Sequence, residues 1–461
     1  MAAPTATDRR ELAFAGVAKQ ADLVRAGAVT PRELVETSLE RIAELDPKLN
    51  AFRCVFAERA LAEADRAAQR VGSADDLPLL GVPISVKDDT PLAGEPRVIG
   101  SNAFGDPSTE SAGFVERLQA AGAIVVGMTR TPELAAQGFT ETVAGGITRN
   151  PWNLQRTPGG SSGGPAAAVA AALVPASTAS DGAGSIRAPA ANCGLFGLKT
   201  TRGLLPPAPD DEIFSGLSVY GFLTRGVGDA ALLYEVVTGE PFVAAAQQAP
   251  KRLKIALSQR IPPGSTARLH PDWRRATEQT GELLGSLGHE VVEREPSIGP
   301  VGLNVLARFL AGVADEADAM AHPERLERRT RNLARMGRSA RRPAARARRN
   351  EAKDSARVNA IFDDVDVVLG PTLARGPLPI GRYEGRGAAY TLNGMLRWMP
   401  FNGVWNHLGN PAAAVPAGFD ADGLPLSVQL VGAHGSDAML FSLAHELETA
   451  RPWTDARPPV S

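Results

Sequence analysis

Cysteine is scarce: the 461 residues hold two, Cys54 and Cys193. Two thiols exclude a disulfide scaffold, and their spacing fits no zinc site, so both are expected to be buried and reduced. Histidine is almost as rare. The six (His270, His289, His322, His407, His434 and His445) all fall in the second half, without metal-ligand spacing and away from any glycine-rich serine turn. Nothing in that pattern builds a Ser-His-Asp triad or a metal centre. No apolar run approaches about 18 residues, which excludes a transmembrane helix. Met1–Arg10 is small and polar and lacks the apolar centre of a secretory leader. A formal net charge of −2 gives no field to steer the chain toward nucleic acid or an anionic membrane. These absences leave the expectation of a soluble, cytoplasmic protein with no metal, organic cofactor, nucleic-acid or membrane partner. A homodimer stays open.

What is present is a generous supply of turn formers, Gly 47 and Pro 36, in a chain with ordinary hydrophobic content, 44%. No repeat or linker interrupts it, so one domain over 1–461 is expected. Glu11–Ala68 reads as amphipathic helices; Thr30 before Pro31 is a helix start, and Leu34, Val35, Leu39 and Ile42 recur at helical spacing. The helical N-terminal region is placed at about 1–75 and a core at about 76–230. Within that core, Leu79–Val86 reads as a buried strand leading into Lys87, followed by helix Phe114–Ala121 and strand Ala123–Gly127. Helix–strand alternation resumes at Lys254–Leu257, Ala267–Leu287 and His289–Val292, and predicts an α/β layer with parallel character. Residues about 300–400 read as a less regular insertion and lid. Inside it, the arginine-rich stretch Arg325–Arg349 has no interleaved aromatics, which favours a solvated helical face over a phosphate-binding surface.

Hydrolysis of an unactivated amide requires a nucleophile, a base and donors aimed at the developing oxyanion. Two glycine-serine segments could supply them. Pro158-Gly159-Gly160-Ser161-Ser162-Gly163-Gly164 is followed by Ser180-Asp181-Gly182-Ala183-Gly184-Ser185-Ile186-Arg187-Ala188-Pro189. Glycines around a serine let successive N–H groups converge and let a substrate approach closely. A phosphate loop would need a Gly-Lys-Ser/Thr ending, which is missing. Either segment alone is also an ordinary structural turn.

Together, at their spacing, the two segments resemble the amidase-signature family. Gly81-Val82-Pro83-Ile84-Ser85-Val86-Lys87-Asp88 is similar to that family's lysine motif. Arg149-Asn150-Pro151-Trp152-Asn153, Cys193–Lys199, Gly221–Arg225, Gly409-Asn410-Pro411-Ala412 and Asp422-Gly423-Leu424-Pro425 extend the resemblance along nearly the whole chain. It implies an α/β/α sandwich with a mixed, twisted central sheet flanked by helices. It also implies catalytic roles: Ser185 as acylated nucleophile, Lys87 as base, and Ser161, after a cis peptide bond, as bridge between them. The N–H groups of Gly182, Ala183, Gly184 and Ser185 would form the oxyanion hole. For Lys87 the alternative is a salt bridge with Asp88 or Asp89. Asp181 and Arg187 read as scaffold, and Ser162 as a brace or a participant.

By position, Ala135, Ala136, Gln137 and Gly138 fall where the family lines its acyl pocket. Small side chains there leave room for a bulky or aromatic acyl group, with Gln137 able to orient it; ordinary packing is the alternative. Trp398, Phe401 and Trp405 form either a leaving-group wall or aromatic core. Four departures stand out, one of them Ser180-Asp181-Gly182-Ala183-Gly184 where many relatives have Thr-Asp-Ile-Gly-Gly. Gly127-Met128-Thr129-Arg130 replaces a usual Gly-Lys-Thr-Asn. Thr131-Pro132-Glu133-Leu134-Ala135 departs from the pattern of amidotransferase subunits in tRNA-linked amidation. Ser427 stands where a glycine is common. The expected function is hydrolysis of small-molecule amides, with carbamates (urethanes) and esters chemically accessible; the alternative is an amidotransferase-type subunit in a multi-protein complex.

Overall fold

The computed structural model of the protein describes residues 6–72 and 77–461. The boundary expected at residues 75–76 lies outside the described residues, as do residues 1–5 of the Met1–Arg10 segment. The strands, in chain order, are β1 (Phe52–Val55), β2 (Pro83–Lys87), β3 (Ile124–Thr129), β4 (Glu141–Thr142), β5 (Gly146–Ile147), β6 (Ala176–Asp181) and β7 (Phe196–Lys199). They continue with β8 (Val219–Thr224), β9 (Lys254–Leu257), β10 (Glu290–Glu293), β11 (Val367–Pro371), β12 (Ala412–Phe419) and β13 (Pro425–Gly432). Eleven of them form one sheet in the order β1-β3-β2-β6-β8-β7-β12-β13-β11-β9-β10; β4 and β5 pair separately as a hairpin.

The sheet is mixed. β2 runs parallel to β3 and β6, and β9 runs parallel to β10 and β11, while β8, β7, β12 and β13 pair antiparallel through the middle. In β3, Ile124 and Val126 join one apolar cluster while Val125 between them joins another, as the two-residue side-chain period requires of a strand covered on both faces. The register then shifts between Val125 and Gly127, and Met128 joins the cluster of Val125. Helices supply that cover, so the expected α/β/α architecture is the observed one.

Helix Pro31–Leu49 starts where its sequence says it should. The Thr30 hydroxyl accepts the Glu33 N–H at 3.1 Å, and the Glu33 carboxylate accepts the Thr30 N–H at 2.8 Å. Helix Gly163–Ala170 is built of small residues because it lies against backbone: a Cβ on Gly164 would stand 2.4 Å from the Arg130 nitrogen.

Two expectations need correction. Glu11–Ala68 is not helical throughout, because Phe52–Val55 pairs with β3 as an edge strand. Residues 300–400 are not irregular. They hold the helices Val301–Ala319 and Arg328–Asn359, which pack on each other, and they contribute β11 to the main sheet. The arginine-rich stretch lies on the second of these helices. There Arg341 pairs with Asp315 at 2.9 Å, Arg338 with Asp318 at 2.5 Å and Arg348 with Glu212 at 2.7 Å, a solvated, ion-paired face. Among the described residues no helix is long and apolar enough to cross a membrane.

Candidate active site

Parallel pairing of β2 with β6 (Ile84 beside Ala176, Ser85 beside Ser177) brings the carboxyl ends of both strands to one edge of the sheet. Ligand sites of open α/β sheets gather beyond such ends. Lys87 closes β2, and Ser180 and Asp181 close β6. The chain then turns through Gly182–Ser185 into helix Arg187–Cys193. Ser161 stands just before helix Gly163–Ala170, in a loop fastened by Thr131 Oγ1 to the Ser161 carbonyl and Thr140 Oγ1 to the Gly159 carbonyl, both at 2.9 Å. The Gly160–Ser161 peptide bond is cis.

Lys87 is wholly buried, and its ammonium nitrogen has three polar neighbours. It donates to Ser161 Oγ at 2.8 Å and to Ser180 Oγ at 2.6 Å, and it meets Asp89 Oδ2 at 2.8 Å. Ser180 Oγ donates in turn to Asp89 at 2.5 Å. The two alternatives for Lys87 therefore coexist: it contacts Ser161 and forms an ion pair. Burial pushes the Lys87 pKa below the usual lysine value, against the opposing pull of Asp89. Asp88 does not take part. Burial raises its carboxyl to about 7, with Arg53 Nε at 2.7 Å holding it back.

Ser185 is half-buried and lines both of the spaces beside it, whereas Ser161 is 1% exposed. Both serines line the same small space, but no hydrogen bond joins them; in unliganded enzymes such contacts are often long. Among the described residues the N–H groups of Gly182, Ala183 and Ser185 have no protein acceptor. Gly184 requires correction, because its N–H is already donated to Asp181 Oδ1 at 2.6 Å. Its φ of 120° and the 2.8 Å that would separate an added Cβ from Asn402 show what glycine does there: it shapes the turn.

Asp181 is the clamp of that turn. It accepts the Ile186 N–H at 3.1 Å, Arg187 Nε and Nη2 at 3.0 Å each, and Asn406 Nδ2 at 2.8 Å. Burial opposes its charge, but Arg187 and these donors outweigh burial and hold the carboxyl well below the usual range. The scaffold role expected of Asp181 and Arg187 accords with this geometry. Ser162 braces the turn, its hydroxyl donating to the Ser180 carbonyl at 3.3 Å.

Ser185 stands between two spaces. One is a small chamber of about 30 Å³ whose wall includes Asp89, Arg97, Ser161, Ser180, Tyr220 and Glu316. The other is a groove of about 510 Å³, walled largely by apolar side chains such as Leu303, Leu306, Met395 and Val404. Ala135, Ala136, Gln137 and Gly138 all line the groove, and Ala135 also lines the chamber. Gln137 is buried, and its Oε1 has no hydrogen-bond partner among the described residues. Trp398, Phe401 and Trp405 line neither space. They are core residues at 1%, 8% and 3% exposure, with Trp398 Nε1 donating to the Arg375 carbonyl at 3.0 Å. Ser427 packs its hydroxyl 3.0 Å from Thr372 Oγ1.

Sequence reasoning missed Ser180 and Asn406 as contributors. Ser180 is adjacent to the noted Asp181, and strand alternation alone would put it on the opposite face from Asp181, toward the lysine of the neighbouring strand. Asn406 carried no local signal, since it reaches Asp181 across 225 residues.

The family described as Amidase matches residues 33–441. A Mycobacterium bovis protein named "Putative amidase AmiB2" is 51% identical over 462 residues, covering 98% of this chain and 100% of its own length. The 6-aminohexanoate-cyclic-dimer hydrolase of Paenarthrobacter ureafaciens is 32% identical over 492 residues, covering 95% of each chain. A solved structure of a 6-aminohexanoate cyclic dimer hydrolase with its substrate superposes with a TM-score of 0.89 at 30% identity, covering 97% of this chain and 99% of that one.

Proposed function

The chain belongs to the amidase-signature family and is a hydrolase of amide bonds, and from that premise we propose that it works through a Ser185 acyl-enzyme. Neutral Lys87 accepts a proton from Ser161 as Ser161 takes the proton of Ser185, and Ser185 Oγ bonds to the substrate carbonyl carbon. The oxyanion that forms is received by the free N–H groups of Gly182, Ala183 and Ser185. On collapse the C–N bond breaks, Ser161 protonates the departing nitrogen, and Lys87 reprotonates Ser161. Water then gives a proton to the same relay, attacks the acyl ester and releases the acid with Ser185 restored.

One observation carries this reading: a fully buried lysine of lowered pKa lies 2.8 Å from Ser161, whose hydroxyl shares a chamber with Ser185. Carbamates and aryl esters present the same carbonyl and belong to the proposed range. The apolar groove suits a bulky or aromatic acyl group, with Gln137 Oε1 available to accept a donor on it. The amidotransferase-type reading is the weaker one, since relatives at 51% and 32% identity carry amidase and hydrolase names.

The test is product release from a matched anilide, aryl carbamate and aryl ester by wild type and Ser185→Ala. Loss of about 10³-fold or more in kcat supports the scheme, and the ranking of the three identifies the bond class. Retention of activity within about tenfold refutes it.

A further inference from the structure

We propose that the chamber beside Ser185 binds a primary ammonium on the leaving-group arm of the substrate, so that the preferred substrate is a short diamine acylated at one end. This rests on the acyl-enzyme reading above. The departing nitrogen must be protonated by Ser161. Ser161 lines the chamber but not the apolar groove, so the leaving group faces the chamber and the acyl group occupies the groove.

The chamber's charges select the arm. The cation in its wall, Arg97, is already matched by Asp210 at 3.1 Å, and the acid Asp89 is already engaged by Lys87 Nζ at 2.8 Å and the Ser180 hydroxyl at 2.5 Å. Arg97 is held further by its Nε, which donates to the Asp89 carbonyl at 3.0 Å. Glu316 has no hydrogen bond or ion pair among the described residues. It projects from helix Val301–Ala319, whose Asp315 and Asp318 turn outward to arginines of the next helix. One negative charge in the chamber is thus uncompensated, and burial pushes the Glu316 carboxyl above its usual range against the pull of Arg97.

Tyr220 gives the second, independent sign of a ligand. It is 1% exposed, lines the chamber, and its hydroxyl has no hydrogen-bond partner among the described residues. The same hydroxyl stands within electrostatic reach of Arg97, Asp89, Asp210 and Glu316, so it lies among the chamber's charged groups. Buried hydroxyls are nearly always paired. An ammonium donates three hydrogen bonds and carries the missing charge, so it satisfies the Tyr220 oxygen and the Glu316 carboxylate together. The chamber's size admits a short arm only, in contrast to the groove.

The experiment compares N-phenylacetyl-1,3-diaminopropane with its uncharged isostere N-butylphenylacetamide, by kcat/KM in wild type, Glu316→Gln and Ser185→Ala. Wild type should favour the diamine amide by about tenfold or more, and Glu316→Gln should bring the ratio of the two substrates toward one. Using the ratio within each protein removes differences in folded fraction. No preference in wild type, or a preference that survives Glu316→Gln, overturns the inference. Calorimetric binding of both amides to Ser185→Ala reads the chamber without turnover: equal affinities overturn it, and tighter binding of the diamine amide supports it. Turnover of the isostere that Ser185→Ala does not abolish would instead defeat the acyl-enzyme scheme.

Discussion

Replacing Asp181 by asparagine tests how the nucleophile turn is held. The substitution keeps shape and removes one charge. Every partner of this carboxylate is a donor: the Gly184 and Ile186 N–H groups, the Arg187 guanidinium and the Asn406 amide. An asparagine amide nitrogen therefore faces donors whichever way it is turned, and Arg187, at 0% exposure, loses its counter-ion. Breaking a buried pair from one side costs about 3–5 kcal/mol. An unfolding entropy of about 2.1 cal/mol/K per residue amounts to about 1 kcal/mol/K for a chain of this length, so the apparent melting midpoint should fall by about 3–5 °C. Removing both members, as in Asp181→Leu with Arg187→Met, should recover much of the loss, because no buried charge is then orphaned. The pH dependence has a definite sign. The folded pKa of Asp181 lies below the unfolded reference of 3.8, so its stabilisation is complete above that value and is lost as pH falls toward the folded pKa. The gap between wild type and Asp181→Asn should accordingly narrow below about pH 4. Scanning calorimetry across that range is the assay. A melting midpoint within about 1 °C of wild type at neutral pH would refute the clamp.

Lys87→Arg should abolish turnover although it keeps the positive charge, because a guanidinium does not deprotonate at working pH. In wild type, kcat/KM should rise with pH as Lys87 loses its proton, with the midpoint below the usual lysine value; a flat profile would remove Lys87 from the relay. Gly160→Ala should destroy the site by crowding rather than by chemistry. The new Cβ would lie 2.6 Å from the Gln137 carbonyl oxygen and 2.6 Å from the Phe139 nitrogen, both of them backbone that cannot swing aside. Near-normal activity on a small anilide would show that the loop yields.

Legibility in the sequence followed the range of each determinant. Lys87, Ser161 and Ser185 stand in glycine-marked local motifs, and the capping box at Thr30 and Glu33 spans four residues, so letters alone located them. The sheet order was not legible, because β7 lies beside β12 through pairings such as Lys199 with Ala412, which no local periodicity encodes. Residues 300–400 were misjudged for a different reason. Helix Arg328–Asn359 contains Pro343 and a run of arginines, whose letters suggest a solvated face or a lid but not a 32-residue helix packed on its neighbour, with Asp315, Asp318 and Glu212 neutralising them from elsewhere in the chain. The Gly184 error is of the same kind. A glycine beside a nucleophilic serine suggests a free donor, and only the position of the Asp181 side chain shows that this N–H is already spent. Chemistry-bearing residues whose partners sit within a few positions are therefore readable, and those whose state is set by a distant charge are not. Glu316 belongs to the second class: in sequence it is one acid among Asp315 and Asp318, and only the fold separates the two that meet arginines from the one that faces the reacting serine's chamber.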